Sequence, residues 1–147
     1  MITAVRFREF TPEDMEAVID LLQDVSAYRP SANESSSLAN AFSSSPNCYA
    51  CVATQEDKLL GFGSIFFLNR VRGGYSSIIE DVVIAANVRR NGIGRRLIET
   101  LVDVAQARGC FKVSLEAAES AEQFYELIGF KPAGKVMTMT LPPRAIT

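Results

Sequence analysis

Histidine is absent from this chain, and so is tryptophan. The first absence excludes the most. It removes the commonest general base and the commonest metal ligand together, and with them Ser-His-Asp and Cys-His chemistry. Any base must be a carboxylate, an amine, a tyrosine or water. Cysteine is sparse, at Cys48, Cys51 and Cys110. An odd count argues against a disulfide framework and fits a reducing cytoplasm. Cys48 and Cys51 have C-x-x-C spacing, but without a second pair or a histidine they read as structural thiols rather than a zinc site. No metal is expected. No apolar run approaches the roughly 18 residues of a transmembrane helix, and residues 1–6 lack the apolar stretch of a signal peptide. The formal net charge of −2 gives no global field toward nucleic acid or an anionic membrane.

What is present suffices for one domain spanning residues 1–147, with 48% hydrophobic residues to bury. Residues 4–10 alternate as an exposed strand would. A helix should follow, with Thr11 as N-cap, Pro12 at its first position and acids in its first turn. Its apolar face is Met15, Val18, Ile19, Leu22 and Val25. Residues 26–46 are rich in Ser, Asn and Pro and read as mobile, with a short helix over 34–41 that turns Leu38 and Phe42 inward. Strands are expected over 48–54 and 59–68, then a loop over 69–77 with Arg70 and Arg72, which could grip an anionic substrate. Residues 78–84 form a central strand, apolar except at Glu80 and Asp81. A helix over 92–108 buries Ile93, Leu97, Ile98, Leu101, Val104 and Ala105, and Gly109 ends it. A strand over 111–115, a short helix over 119–128 and a last strand over 135–141 complete an α/β (α+β) chain without repeats or linkers.

The chemistry concentrates at two places. In Arg89-Arg90-Asn91-Gly92-Ile93-Gly94-Arg95-Arg96, two glycines sit where a loop becomes a helix, so the backbone can approach a ligand closely. Helix N-termini carry unpaired amides and partial positive charge, and they bind phosphate. The run fits neither the P-loop nor the dinucleotide fingerprint, whose third glycine is Leu97 here. An RNA reader would stack bases on exposed aromatics, and none flank this run. Upstream, Glu80 and Asp81 interrupt an apolar strand. A salt bridge inside the core would explain one such acid. Acids in a central strand are costly to bury, which favours function, and a partly desolvated Glu suits a base. Neighbours in a regular strand face opposite ways, unless a bulge changes the parity.

The pattern Arg89-x-x-Gly92-x-Gly94, the acids Glu80 and Asp81 before it and Phe124-Tyr125-Glu126-Leu127-Ile128-Gly129-Phe130 after it resemble the GNAT family of N-acetyltransferases. The likeness covers the last half of the chain well and the first half in order of elements. Within the family the spacing most resembles the glucosamine-6-phosphate N-acetyltransferase branch. The resemblance implies the GNAT fold: a mixed, mostly antiparallel sheet with helices on both faces, its fourth and fifth strands parallel and splayed. It implies acetyl-CoA as co-substrate, held by Val82, Val83, Ile84, Arg89, Arg90, Asn91, Gly92, Ile93, Gly94, Arg95 and Tyr125. It places Glu80, Asp81 and Tyr125 in catalysis, with a backbone amide near Val82 or Val83 for the oxyanion. Phe124 and Phe130 are expected in the core. Glu80, Asp81 and Glu116 would contact a small-molecule amine, and a homodimer is implied. The chain departs from that branch at Thr140, where a phosphate-binding Arg is carried, and at Ala118. Another amine (an aminoalkylphosphonate, a polyamine or a protein N-terminus) and a non-catalytic acyl-CoA sensor are the alternatives.

Overall fold

The computed structural model describes residues 4–142; residues 1–3, part of the stretch read for a signal peptide, lie outside. Internal packing divides the chain into two compact units, Met1–Leu115 and Glu116–Thr147.

The first unit is a five-stranded sheet in the order β1-β2-β3-β4-β5. Its strands are β1 (Arg6–Glu9), β2 (Cys48–Gln55), β3 (Lys58–Asn69), β4 (Tyr75–Ile84) and β5 (Cys110–Leu115). The first four pair antiparallel and β4 pairs β5 in parallel. α1 (Met15–Leu22) and α2 (Ala32–Ser44) cover one face, where Phe10, Val18, Ala50, Val52, Phe62 and Val83 form a core that Phe42 joins. α3 (Ile93–Ala107) covers the other with Leu97, Ile98, Leu101 and Ala105 fully buried. Its close approach explains Gly63, where a Cβ would lie 3.1 Å from Leu101 and 3.5 Å from Leu97. The two-residue β2–β3 turn holds Glu56 and Asp57 at positive φ, the twist a tight hairpin needs.

Several sequence expectations meet a different structure. Thr11 caps a 3-10 turn, Pro12–Asp14, before α1 begins. There Asp14 accepts a hydrogen bond from the Thr11 N–H at 2.9 Å and a two-pronged one from Arg8 at 2.8 Å. α1 stops at Leu22, so Val25 is exposed. α2 is longer than the expected helix because Ser31 caps it, accepting from the Glu34 N–H, and Leu38 points to solvent. Tyr75, Ser76 and Ser77 belong to β4, not to a loop. Pairing on both sides overrides serine's weak strand preference, and the Ser77 hydroxyl donates to the Lys112 carbonyl at 3.0 Å. Val104 is half-buried.

The second unit holds a 3-10 turn, Glu119–Ala121, and α4 (Glu122–Ile128), which Gly129 ends at φ +125°. Residues 135–141 form no strand. Alternation makes a strand only where a neighbour supplies the hydrogen-bond ladder, and no described residue pairs with them. Val136, Met137, Met139 and Leu141 stand exposed.

Candidate active site

Glu80 and Asp81 lie at a bulge. Ser64 pairs with Glu80 and Phe62 with Val83, so Asp81 and Val82 together oppose Gly63. Asp81 takes the extra turn at φ +55°. Residues opposite one another share a face, and Ser64 and Phe62 are two apart, so Glu80 and Val83 share the α1–α2 face although three apart. The parity has changed as a bulge allows. Both carboxylates are exposed. A base at either position therefore works in contact with water.

The same stretch of β4 lies past the end of a ladder. The β4–β5 ladder ends at Ile79↔Leu115, the last residue of β5. Among the described residues, backbone groups of residues 81–84 that point toward β5 meet no ladder partner there.

Beyond Ile84 the chain passes a 3-10 turn, Ala86–Val88, and enters α3 through two residues at positive φ, Arg90 at +70° and Gly92 at +80°. Gly92 is the N-cap and offers no side chain to the helix amides. The first intrahelical bond runs from the Arg96 N–H to the Gly92 carbonyl at 3.2 Å, which leaves the amides of Ile93, Gly94 and Arg95 available. No acid occupies the first turn, and a Cβ on Gly92 would meet nothing within 4 Å. A helix terminus of this kind can receive an anion.

The arginines around it play different parts. Arg89 Nε donates to the Ile84 carbonyl at 3.1 Å, and its Nη2 reaches Asp24 at 3.2 Å, so it pins the loop to the end of α1. Arg96 lies 4.4 Å over the Phe7 ring, and Arg95 pairs with Glu99 at 3.6 Å. Arg90 forms no salt bridge with the described residues. A tether between residues 65 apart leaves no mark in sequence spacing. Arg70 and Arg72 sit in the loop before β4. At roughly 3.3 Å per residue, Tyr75 is about 17 Å along the strand from Glu80. Within one copy the two arginines are not gathered with the carboxylates.

In the second unit, Tyr125 is half-buried on α4, between Phe124 at 5.1 Å and Phe130 at 5.8 Å, both edge to face. Burial raises its phenol pKa above the ordinary value, so the hydroxyl stays protonated and available as a donor. Phe124, expected in the core, is 38% exposed. Glu116 is exposed at the start of this unit. Cys48 and Cys51 are buried on opposite faces of β2, as i and i+3 strand positions must be, and burial lifts the Cys51 thiol to about 11. No group of three or more metal-ligating side chains exists among the described residues, and no helix there is long and apolar enough to cross a membrane.

The chain is similar to known proteins. The chain is 31% identical to glucosamine 6-phosphate N-acetyltransferase of Trypanosoma brucei brucei over 86 residues, 57% of this chain and 58% of that protein. The chain thus spans a little over half the length of that relative. It is 21% identical to thialysine N-epsilon-acetyltransferase of Mus musculus over 144 residues, 87% of this chain and 85% of that one. The crystal structure of glucosamine-6-phosphate N-acetyltransferase from Arabidopsis thaliana superposes with a TM-score of 0.88 at 23% identity, covering 95% of this chain and 99% of that one. That likeness establishes the fold: a mixed five-stranded sheet with helices on both faces. The profile of the acetyltransferase (GNAT) family matches residues 15–130, and the chain belongs to that family.

Proposed function

We propose that the chain is a single acetyltransferase domain, residues 1–147, that moves the acetyl group of acetyl-CoA to a primary amine of a small molecule. The observation that carries this is the sequence of a bulged β4 that outruns its β5 ladder and a glycine-led α3 without a side-chain cap. The first offers carboxylates and backbone groups without a ladder partner toward β5. The second offers amides for a pyrophosphate, at residues 91–95, with Arg90 and Arg95 near and Arg89 holding the loop. Val82, Val83 and Ile84 would line the arm that leads from it.

The transfer is direct. The ammonium loses its proton to Glu80 or Asp81, directly or through water, and the amine nitrogen attacks the thioester carbon. The C–N bond forms, a backbone amide of the bulge holds the oxyanion, and the C–S bond breaks. Tyr125 gives its proton to the departing thiolate, and the second proton of the nitrogen, shed as the amide forms, returns to the phenolate directly or through water. Proximity of two bound reactants supplies much of the rate, and one oxyanion donor is typically worth about 10²–10³-fold. No cysteine or metal takes part.

For the acceptor, an amino-sugar phosphate is the leading candidate, because the relative from Trypanosoma brucei brucei bears that substrate in its name. Glu116, Arg70 and Arg72 are the further residues assigned to it. A different alkyl amine is the second reading, favoured by the likeness to the thialysine enzyme over 87% of the chain and by Thr140 where the sugar-phosphate branch carries an Arg. We assign the protein to the cytoplasm, since its three cysteines are free, with no nucleic-acid or membrane partner. A homodimer would cover the apolar side chains at residues 136–141.

A thiol-release assay with acetyl-CoA across a panel of amino sugars, their phosphates, aminoalkylphosphonates, polyamines and peptides tests this. Amine-dependent thiol release is expected. Tight acetyl-CoA binding with no release on any amine would instead indicate an acyl-CoA sensor.

A further inference from the structure

The bulge in β4 rests on a buried hydroxyl. Ser64, on β3, is 1% exposed, and its Oγ donates to the carbonyl oxygen of Glu80 at 2.9 Å. Its neighbours along β3 are Gly61, Phe62, Gly63, Ile65 and Phe66, so the hydroxyl is a lone polar side chain in an apolar stretch. Burying a hydroxyl is costly unless it is bonded, and its bond falls where the β3–β4 register shifts. The residue just beyond, Asp81, holds an L side chain at φ +55°. A conformation of that kind costs about 1–3 kcal/mol and lasts only where its surroundings enforce it.

One peptide plane connects these facts. The Glu80 carbonyl and the Asp81 N–H belong to the same planar trans unit, so they point in opposite directions. With the carbonyl drawn toward Ser64 on β3, the Asp81 N–H points away from β3. That is the side on which the β4–β5 ladder has ended, at Ile79↔Leu115.

We propose that Ser64 is a positioning residue: its hydroxyl locks the Glu80–Asp81 peptide so that the Asp81 amide points away from β3, to the side where the β4–β5 ladder has ended, as the oxyanion donor. Ser64 touches neither reactant. It acts by fixing the plane of one peptide, and the same bond sets the backbone from which the Glu80 carboxylate projects. The use made of this geometry rests on the acetyl-transfer reading; the lock itself does not.

The test compares Ser64→Ala with Ser64→Thr, which keeps the hydroxyl, in the full chain. In ¹⁵N-labelled protein without any cofactor, Ser64→Ala should move the Asp81 amide resonance, while Ser64→Thr stays close to wild type. In turnover, Ser64→Ala should lower kcat about tenfold or more with KM for acetyl-CoA within twofold, and Ser64→Thr should restore most of it. If the alanine variant does not fold, Ser64→Cys, similar in size with a weak donor, should show the same changes in part. An Asp81 amide unmoved by the loss of the hydroxyl overturns the lock. Equal losses of kcat in the alanine and threonine variants overturn it too, since packing would then be the cause. Wild-type protein that turns over no amine refutes the acetyl-transfer reading instead, and the amide measurements still decide the lock.

Discussion

Replacing Gly92 by valine separates cofactor binding from folding. Gly92 sits at φ +80° at the N-cap of α3, with nothing within 4 Å of a Cβ built there. Inside the protein the substitution therefore costs backbone strain and no clash, about 1–2 kcal/mol. For a domain of this size that lowers the melting temperature by about 2–8 °C. The new branch stands in the open space over the first amides of the helix, where a pyrophosphate must approach. Losing two charge-assisted hydrogen bonds at roughly 1.5–3 kcal/mol each amounts to about 10²–10⁴-fold in affinity. The same helix carries its own control. Gly109, at the other end, also lies at φ +80° with nothing within 4 Å. Gly109→Val should lower the melting temperature by a similar amount and leave acetyl-CoA affinity within about twofold. Calorimetric titration with acetyl-CoA beside thermal melting reads both quantities. A folded Gly92→Val protein that binds acetyl-CoA like wild type would refute the assignment of this loop to the pyrophosphate.

Tyr125→Phe should lower kcat about 10²-fold while KM for acetyl-CoA changes little, because the hydroxyl is needed as the thiolate leaves. Since burial raises the phenol pKa, the wild-type donor should stay competent through the ordinary phenol range, near pH 10; an unchanged kcat in Tyr125→Phe would leave Tyr125 as packing alone. Asp14 is held ionised by hydrogen bonds from Arg8, its pKa lowered. The stability this contributes is present above the unfolded carboxylate value, near pH 4, and is lost as pH falls through the lower folded value. Arg8→Met should therefore melt earlier than wild type at neutral pH, by about 1–2 kcal/mol, with the gap closing as pH falls below the ordinary carboxylate range; a gap independent of pH would assign the loss to packing. Sedimentation at micromolar concentration should give a dimer, and Met137→Glu with Met139→Glu a monomer, because these side chains are 93% and 83% exposed in one copy; a monomeric wild type contradicts this.

The glycine-led entry to α3 was legible because its signal is local. Gly92, Gly94 and the arginines are contiguous, and the strand before them and helix after them have strong periods. The bulge was not. A positive φ in a strand is usually announced by glycine, and here Asp81 occupies it. Whether Glu80 and Asp81 share a face depends on register against β3, which only the paired strands reveal. Residues 135–141 show the reverse failure: their alternation is genuine, but a strand needs a partner that no described residue supplies. Ser76 and Ser77 concealed the start of β4 because their hydrogen bonding, not their propensity, places them in the sheet. The tether from Arg89 to Asp24 and the bond from Ser64 to Glu80 join distant parts of the sequence, so neither motif nor spacing betrays them.

The carboxylates at the bulge should set the pH dependence of the reaction. A free alkyl ammonium, with pKa near 10, is almost fully protonated at neutral pH, and each unit to be overcome costs about 1.4 kcal/mol. Glu80→Gln keeps the shape and the cofactor loop while removing a proton acceptor. With acetyl-CoA saturating and an accepted amine, kcat/KM of wild type should show an acidic limb set by a carboxylate. In Glu80→Gln it should rise steadily with pH as the amine deprotonates unaided. Should Asp81→Asn lose the limb instead, the two acids exchange roles. If both variants keep the wild-type rate and profile, neither acid takes the proton, and the proposed mechanism fails at its central step.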